Sequence, residues 1–362
     1  MFKKIFSEQY ITIVHFVEIL LFLLMIPLLY NFVPVDKNAQ NVLYIDGSDI
    51  DTVVHSLENN NYTVTVIDKM MIQMGQLPKS GWYSLDKEKH GRFTFFKRIY
   101  KDRTETMKIV IYAGETANEL VDRLANDMKL ERKKLYAAYK ELSTFNEADI
   151  FAGHYIVARK IDAEGMMFYL FKQSREILDL FIEKNFRSMP DHFEQKVLLT
   201  IASIIQKESN SIDEMPLISS VIYNRLKKNM KLQMDATLNY GIYSHKIVTP
   251  ERIKTDKTFY NTYKYKGLPP HPLGTITIDA LQAAMFPAKS EHLFFMLKPN
   301  GSHEFCATYD KHLENIRIFR AYQKKRAEEQ EKMKMKMKKK KEEEARKKLN
   351  DQNRSEDNTT VS

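Results

Sequence analysis

The chain has 362 residues, 43% hydrophobic and 28% charged, which predicts about two or three domains and excludes disorder throughout. A single cysteine, Cys306, excludes an intramolecular disulfide framework and any Cys-cluster zinc site. The formal charge is +9, but residues 324–362 carry +5 of it and residues 1–323 only +4, so a nucleic-acid reading of the basic balance would rest mainly on a tail.

The first predicted element is a membrane helix. Tyr10 to Val33 is a stretch of 24 residues, apolar from Ile19 to Leu29 apart from Pro27. About 20 mostly apolar residues cross a bilayer as a helix. Lys3 and Lys4 favour a cytoplasmic N-terminus over residues 1–9 and an exported remainder, with Glu8 weakening the bias. His15 and Glu18 are costly at a bilayer centre but tolerable near one end. No small-x-small cleavage site follows, so residues 10–33 are predicted to stay as a single-pass anchor. A cleavable signal peptide and a buried helix of a soluble domain are the rival readings.

An internal repeat follows. Gly47 and Gly114 each succeed a short strand pattern, and Val53, Val54 and Leu57 match Leu120, Val121 and Leu124 at helical spacing. Each copy closes on a glycine and a tyrosine, Gly81-Trp82-Tyr83 and Gly153-His154-Tyr155, and the glycines of a copy lie 34 and 39 residues apart. Two small strand–helix(–helix)–strand units are predicted, over 40–108 and 109–165. They resemble LysM-like modules, which lie on glycan chains; a spacer that lifts the following domain off a membrane is the other reading.

After a linking helix over roughly Lys172 to Asn185 comes a helical run, 194–210. At 100° per residue, Val197, Ile201, Ile204 and Ile205 form an apolar stripe, and Glu208 falls within it. Ser209-Asn210-Ser211 then stop the helix. A carboxyl against an apolar wall, at the negative end of a helix dipole, has its pKa raised, which suits a general acid near neutrality. A packed stem with an escaping head is the bland reading of the same placement. Downstream lies a dense set of amides and aromatics: Asn224, Gln233, Asp235, Tyr260, Asn261, Tyr263 and His303, with the stiff Gly267-Leu268-Pro269-Pro270 turn among them. Rings that stack on pyranose faces and amides that bond hydroxyl or N-acetyl groups beside a carboxylate fit sugar recognition. An Asp before a helix can equally be a cap.

These residues resemble a known family. Residues of about 40 to 320 are similar to the endolytic murein transglycosylases, the MltG or YceG-like family. Ala202-Ser203-Ile204-Ile205-Gln206-Lys207-Glu208 resembles that family's catalytic-glutamate segment. Asn224-Arg225-Leu226, Leu232-Gln233-Met234-Asp235-Ala236-Thr237, and Tyr260-Asn261-Thr262-Tyr263 with the Pro-Pro turn resemble later blocks, as do Gly301, His303 and Phe305. Met234 and Ala236 depart from a small polar residue and a proline in the family pattern. Cys306 departs from a serine, and His271-Pro272-Leu273 and Lys311-His312-Leu313 also differ from it. The Glu-Gly-Tyr-Leu-Phe-Pro segment survives only as Phe151-Ala152-Gly153-His154-Tyr155.

The resemblance implies an α+β fold: a transmembrane helix, the two small LysM-like units, a catalytic domain over 166–323 and a charged tail over 324–362. It also implies a lytic transglycosylase in which Glu208 is the sole acid and base. Asn224, Gln233, Asp235, Tyr260, Asn261, Tyr263 and His303 would then bind substrate, with Asp235 as a charge stabiliser. No metal or cofactor is implied. The implied partners are peptidoglycan strands, the inner membrane and peptidoglycan synthases, with the enzyme part outside the cytoplasm and no nucleic acid. A non-catalytic glycan-binding or division scaffold is the alternative. In the tail, Met333, Met335 and Met337 alternate with lysine, which matches no helical apolar stripe and predicts a solvated helix or a disordered segment. Attraction to anionic lipid or wall polymer is its functional reading.

Overall fold

The computed structural model describes residues 2–35, 39, 41–47, 49–85 and 90–357. Met1, the first residue of the expected 40–108 unit and residues 358–362 of the expected tail lie outside these. The chain divides into two compact units, one of residues 1–196 with 271–277, the other of residues 197–270 with 278–362.

The first unit begins with helix α1 (Phe2–Asn31). Its Tyr10–Asn31 stretch has a mean hydropathy of 2.4 and is entirely unburied, so it is long and apolar enough to cross a membrane. His15 Nδ1 and Glu18 Oε2 lie 3.1 Å apart, one turn from each other, which partners two polar groups that lipid would otherwise isolate. The end of α1 is docked. The Tyr30 hydroxyl bonds the Thr65 hydroxyl and accepts from Arg92 Nε at 3.2 Å, and Asn31 Oδ1 accepts from the Phe93 N–H at 3.0 Å. A side chain at Gly91 would collide with the Asn31 amide, whose atoms come within 2.5–2.8 Å of a Cβ placed there. Arg92 itself pairs with the buried Asp68 at 2.7 Å.

Two β–α–α–β repeats follow. The first runs β1 (Val42–Ile45), α2 (Ile50–Glu58), α3 (Val66–Met74) and β2 (Gly81–Ser84), with β1 and β2 antiparallel. A short helix, α4 (Arg92–Arg98), packs Phe95 and Phe96 against its core with Leu43, Ile45, Val53, Leu57 and Ile72. The second runs β3 (Thr106–Ile111), α5 (Ala117–Met128), α6 (Arg132–Leu142) and β4 (Gly153–Ala158), again antiparallel. Asp49 caps α2, while Thr65 with Asp68 and Thr116 with Glu119 form capping boxes on α3 and α5. Helix α7 (Ala163–Asn185) lays Met166, Met167 and Leu170 into the core of the second repeat, beside Leu120, Leu124 and Val157. Trp82 joins the repeats: it belongs to this second core, meets Tyr169 edge-on at 4.7 Å and donates to Ile156 O at 2.6 Å.

Residues 271–277 stitch into the second repeat. Thr275 N–H donates to Glu115 O at 2.8 Å, Gly114 N–H to Thr275 O at 2.9 Å, and Ile276 bridges Phe151 in parallel. Gly274, at φ +155°, is obligatory, since a Cβ there would lie 2.6 Å from Glu115 O.

Helix α8 (His192–Glu208) differs from the expected stripe. Every residue from Leu199 to Ile205 is buried, while Val197 and Leu198 are half-buried. A helix apolar or small on all sides is packed on all sides, and Ala202 and Ser203 complete the circuit that the isoleucines begin. In the second unit, α9 (Met215–Lys227), α10 (Asp235–Leu238), α11 (Pro250–Thr255) and α12 (Ile278–Met285) precede an antiparallel hairpin of β5 (Phe294–Leu297) and β6 (His303–Cys306). The chain then continues as one helix, α13 (Tyr309–Asp357), on which Met333, Met335 and Met337 are exposed.

Candidate active site

Glu208 is the last residue of α8, half-buried, in a cleft of about 400 Å³ within the second unit. Gln233, Asp235 and Tyr263 share the lining, as do Arg225 and the rings of Phe294, Phe295, Tyr309 and His312. Burial pushes the Glu208 carboxyl up to about 7; the Ala236 N–H, which donates to Oε1 at 2.8 Å, opposes this, and the charge of Asp235 adds to it. An acid so placed holds its proton near neutrality and can still give it up.

The strip that faces Glu208 is built from alternation. Leu232, Met234 and Ala236 are buried, while Gln233 and Asp235 are exposed between them. Gln233 sits at φ +51°, a left-handed conformation that costs a non-glycine residue of order 1–3 kcal/mol and needs support from its surroundings. Thr262, itself buried, supplies that support. Its carbonyl accepts from Gln233 N–H at 3.2 Å, its Oγ1 accepts from Met234 N–H at 3.1 Å, and the Thr237 and Thr262 hydroxyls bond at 2.9 Å. Tyr263 then donates its hydroxyl to Asp235 Oδ1 at 2.6 Å. Burial, that bond to Asp235 and the nearby carboxylate charges hold the phenol well above its ordinary range, so it remains a donor.

Of the residues expected on a sugar, Glu208, Gln233, Asp235 and Tyr263 line the cleft. The others do not line it, and each is engaged elsewhere. Asn261 is fully buried; its Nδ2 donates to Ile253 O and Asp256 O, both at 2.9 Å, and its Oδ1 accepts from Tyr263 N–H at 3.2 Å. Its amide thus shapes the loop that carries Tyr263. Asn224 Nδ2 donates to Ser290 O at 2.9 Å and His292 O at 3.0 Å. Tyr260 stacks on Tyr240 at 4.5 Å. His303 bonds Glu214 twice, through its N–H at 2.7 Å and Nδ1 at 2.8 Å. Burial pushes the Glu214 carboxyl up, but these two bonds outweigh it and hold the group below its usual range. Asp235 is the first residue of α10 rather than its N-cap, which is Met234, and its Oδ1 accepts from Tyr263.

The sequence reading did not single out Arg225 or His312 as functional. The available signal was a cation one helical turn from the apolar Val221 and Ile222, in the block already noted for Asn224. Among the described residues, no cluster of three or more His, Cys, Asp or Glu side chains is placed to hold a metal ion.

Comparisons with known proteins bear on this arrangement. An endolytic murein transglycosylase of Bacillus subtilis is 40% identical over 116 residues, 32% of this chain and 32% of that protein. One of Streptococcus pneumoniae (strain D39) is 36% identical over 125 residues, 33% of this chain and 23% of that protein. The matched part thus spans a third or less of these relatives. A crystal structure of a YceG-like protein from Listeria monocytogenes aligns with 77% of this chain and 99% of its own, at 22% identity and a TM-score of 0.49. The profile of the YceG-like family matches residues 44–318, and with three quarters of its length inside that match the chain belongs to the YceG-like family.

Proposed function

We propose that the chain is a membrane-anchored endolytic lytic transglycosylase that cuts the MurNAc–GlcNAc β-1,4 bond of nascent peptidoglycan strands. The observation that carries this reading is a single carboxyl, Glu208, poised at about 7 in a cleft beside Asp235 and Tyr263. The names of the matched relatives favour the same substrate.

In this mechanism Glu208 protonates the leaving glycosidic oxygen. The same carboxylate then takes the proton of the C6 hydroxyl of N-acetylmuramic acid, which attacks C1 and closes a 1,6-anhydro ring. A hydrolase commonly divides the roles of acid and base or nucleophile between two carboxylates. Here the internal hydroxyl replaces water, so one titrating group suffices, and the bound hydroxyl gains the advantage of an intramolecular nucleophile. Asp235, steadied by Tyr263, faces the positive charge that develops at C1, and Gln233 bonds the sugar.

Residues 10–33 would hold the chain in the inner membrane with the remainder outside the cytoplasm. The two β–α–α–β repeats, read as LysM-like, would lie on glycan or raise the second unit from the bilayer. Synthases that extend the strand are the natural partners, because a cut in a nascent strand limits its elongation. Mass spectrometry of products from purified peptidoglycan tests the reading. Ends in 1,6-anhydro-N-acetylmuramic acid, lighter by one water than reducing ends, are expected. Reducing ends alone would make the protein a hydrolase, and no cleavage would leave a glycan-binding scaffold.

A further inference from the structure

Arg225 is a buried cation without a counter-ion. It is 7% exposed, near the end of α9, and three backbone carbonyls hold it: Nε donates to Leu293 O at 2.6 Å, and Nη1 donates to Lys231 O at 3.2 Å and to Leu232 O. Its guanidinium carbon lies 5.1 Å from the centre of the Phe294 ring. No carboxylate reaches it among the described residues, and burial pushes its pKa down.

The same chain shows what a purely structural buried arginine looks like. Arg92, 5% exposed, is given Asp68 at 2.7 Å. Arg123, half-buried, is given Glu115. A charge taken out of water without a counter-ion is expensive. The guanidinium has five N–H groups. Nε and Nη1 are committed to carbonyls, whereas Nη2 has no protein partner and is not among the side-chain atoms sealed from solvent. Arg225 lines the cleft that holds Glu208. Asp235, the other acidic group there, already accepts from Tyr263.

We infer that Arg225 is a specificity residue: its Nη2 corner binds a carboxylate of the substrate beside the scissile bond, so that the cleft distinguishes an acidic N-acetyl sugar from a neutral one. The inference rests on the murein reading of the cleft. In murein the carboxylate can come from the lactyl arm of a peptide-free muramic acid or from a stem peptide.

The test compares three substrates with the full chain: peptide-free strands with free lactyl carboxylates, the same strands methyl-esterified, and peptide-bearing strands. A charge-assisted hydrogen bond predicts that esterification lowers kcat/KM by about 10- to 100-fold. Arg225→Gln should lose a similar factor on the acid and little on the ester, bringing the two rates together. A merely structural arginine would slow both equally. An acid cut faster than its ester, with peptide-bearing strands as slow as the ester, assigns the contact to the lactyl arm; acid and ester cut equally slowly, with peptide-bearing strands faster and slowed when their own carboxylates are esterified, assign it to the stem peptide. Equal rates on acid and ester by the unmutated chain, together with peptide-bearing strands indifferent to esterification of their own carboxylates, overturn the inference while leaving the transglycosylase reading intact. Cleavage of none of the three overturns both. Because esterification alters the substrate, the comparison decides even if Arg225→Gln does not fold.

Discussion

A carboxyl with a pKa of about 7 gives Glu208 a double signature. As the proposed acid of the first step it must be protonated, so kcat/KM should fall as pH rises through about 7. In stability the sign is the same. The folded state holds this proton more tightly than the unfolded chain, whose ordinary value is 4.5. The group's contribution is therefore fully present below that value and is lost as pH rises through about 7. Glu208→Gln removes both effects: activity should drop by at least ~10²–10⁴-fold, while the melting temperature should gain most on the alkaline side, because a neutral amide is easier to bury than a carboxylate. A folded and fully active Glu208→Gln protein would end the assignment. The place of Glu208 in the cleft was legible from its position in an apolar helical pattern taken together with the polar and aromatic blocks downstream. Asn261 was not legible, since an asparagine next to tyrosines reads as a sugar ligand until its amide is seen bonded to Ile253 of α11 and to Asp256 and Tyr263 nearby in the chain.

At the scale of elements, the start of α10 sets the poise of the end of α8. Two opposed substitutions separate its parts. Ala236→Pro deletes the N–H that favours the Glu208 carboxylate, in the first turn of a helix, where proline is well tolerated. The alkaline limb of the pH profile should move up. Asp235→Asn removes the charge that raises Glu208, so the limb should move down, with a smaller loss of activity than Glu208→Gln. Limbs that stay in place in both variants would mean that another group titrates. The resembled pattern has a proline at this very position, which has no N–H to donate, whereas Ala236 donates one to Glu208. Both β–α–α–β repeats were visible in the sequence from glycines at strand ends and helical spacing behind them. The docking of 271–277 was not, because its bonds to Gly114, Glu115 and Ala152 span more than a hundred residues and leave no local periodicity.

At the scale of the whole molecule, α13 is one helix with two kinds of work. Its first turns line the cleft through Tyr309, His312 and Ile316, all before residue 324. Deleting 324–362 should therefore leave kcat on soluble strands unchanged; a large loss would place the tail in the enzyme. The opposite end behaves differently. A soluble fragment that starts after Val33 loses Tyr30 and Asn31, and with them partners of Arg92 and Phe93. Compared with a fragment that starts at Phe22 in detergent, it should melt several degrees lower in its first unit, since a lost buried partner costs ~1–3 kcal/mol. Equal melting temperatures would show the docking to be dispensable.

The socket formed by Tyr30, Asn31, Gly91 and Arg92 also ties the end of α1 to the rest of the first unit. A domain on a floppy leash samples every orientation whatever its membrane does, but one keyed to the end of a rigid post turns when the post leans. Apolar helices lean according to the thickness of the bilayer they span. In the proposed membrane setting, lipid thickness would therefore steer the first unit, and thinner or thicker bilayers would reorient it along with the helix.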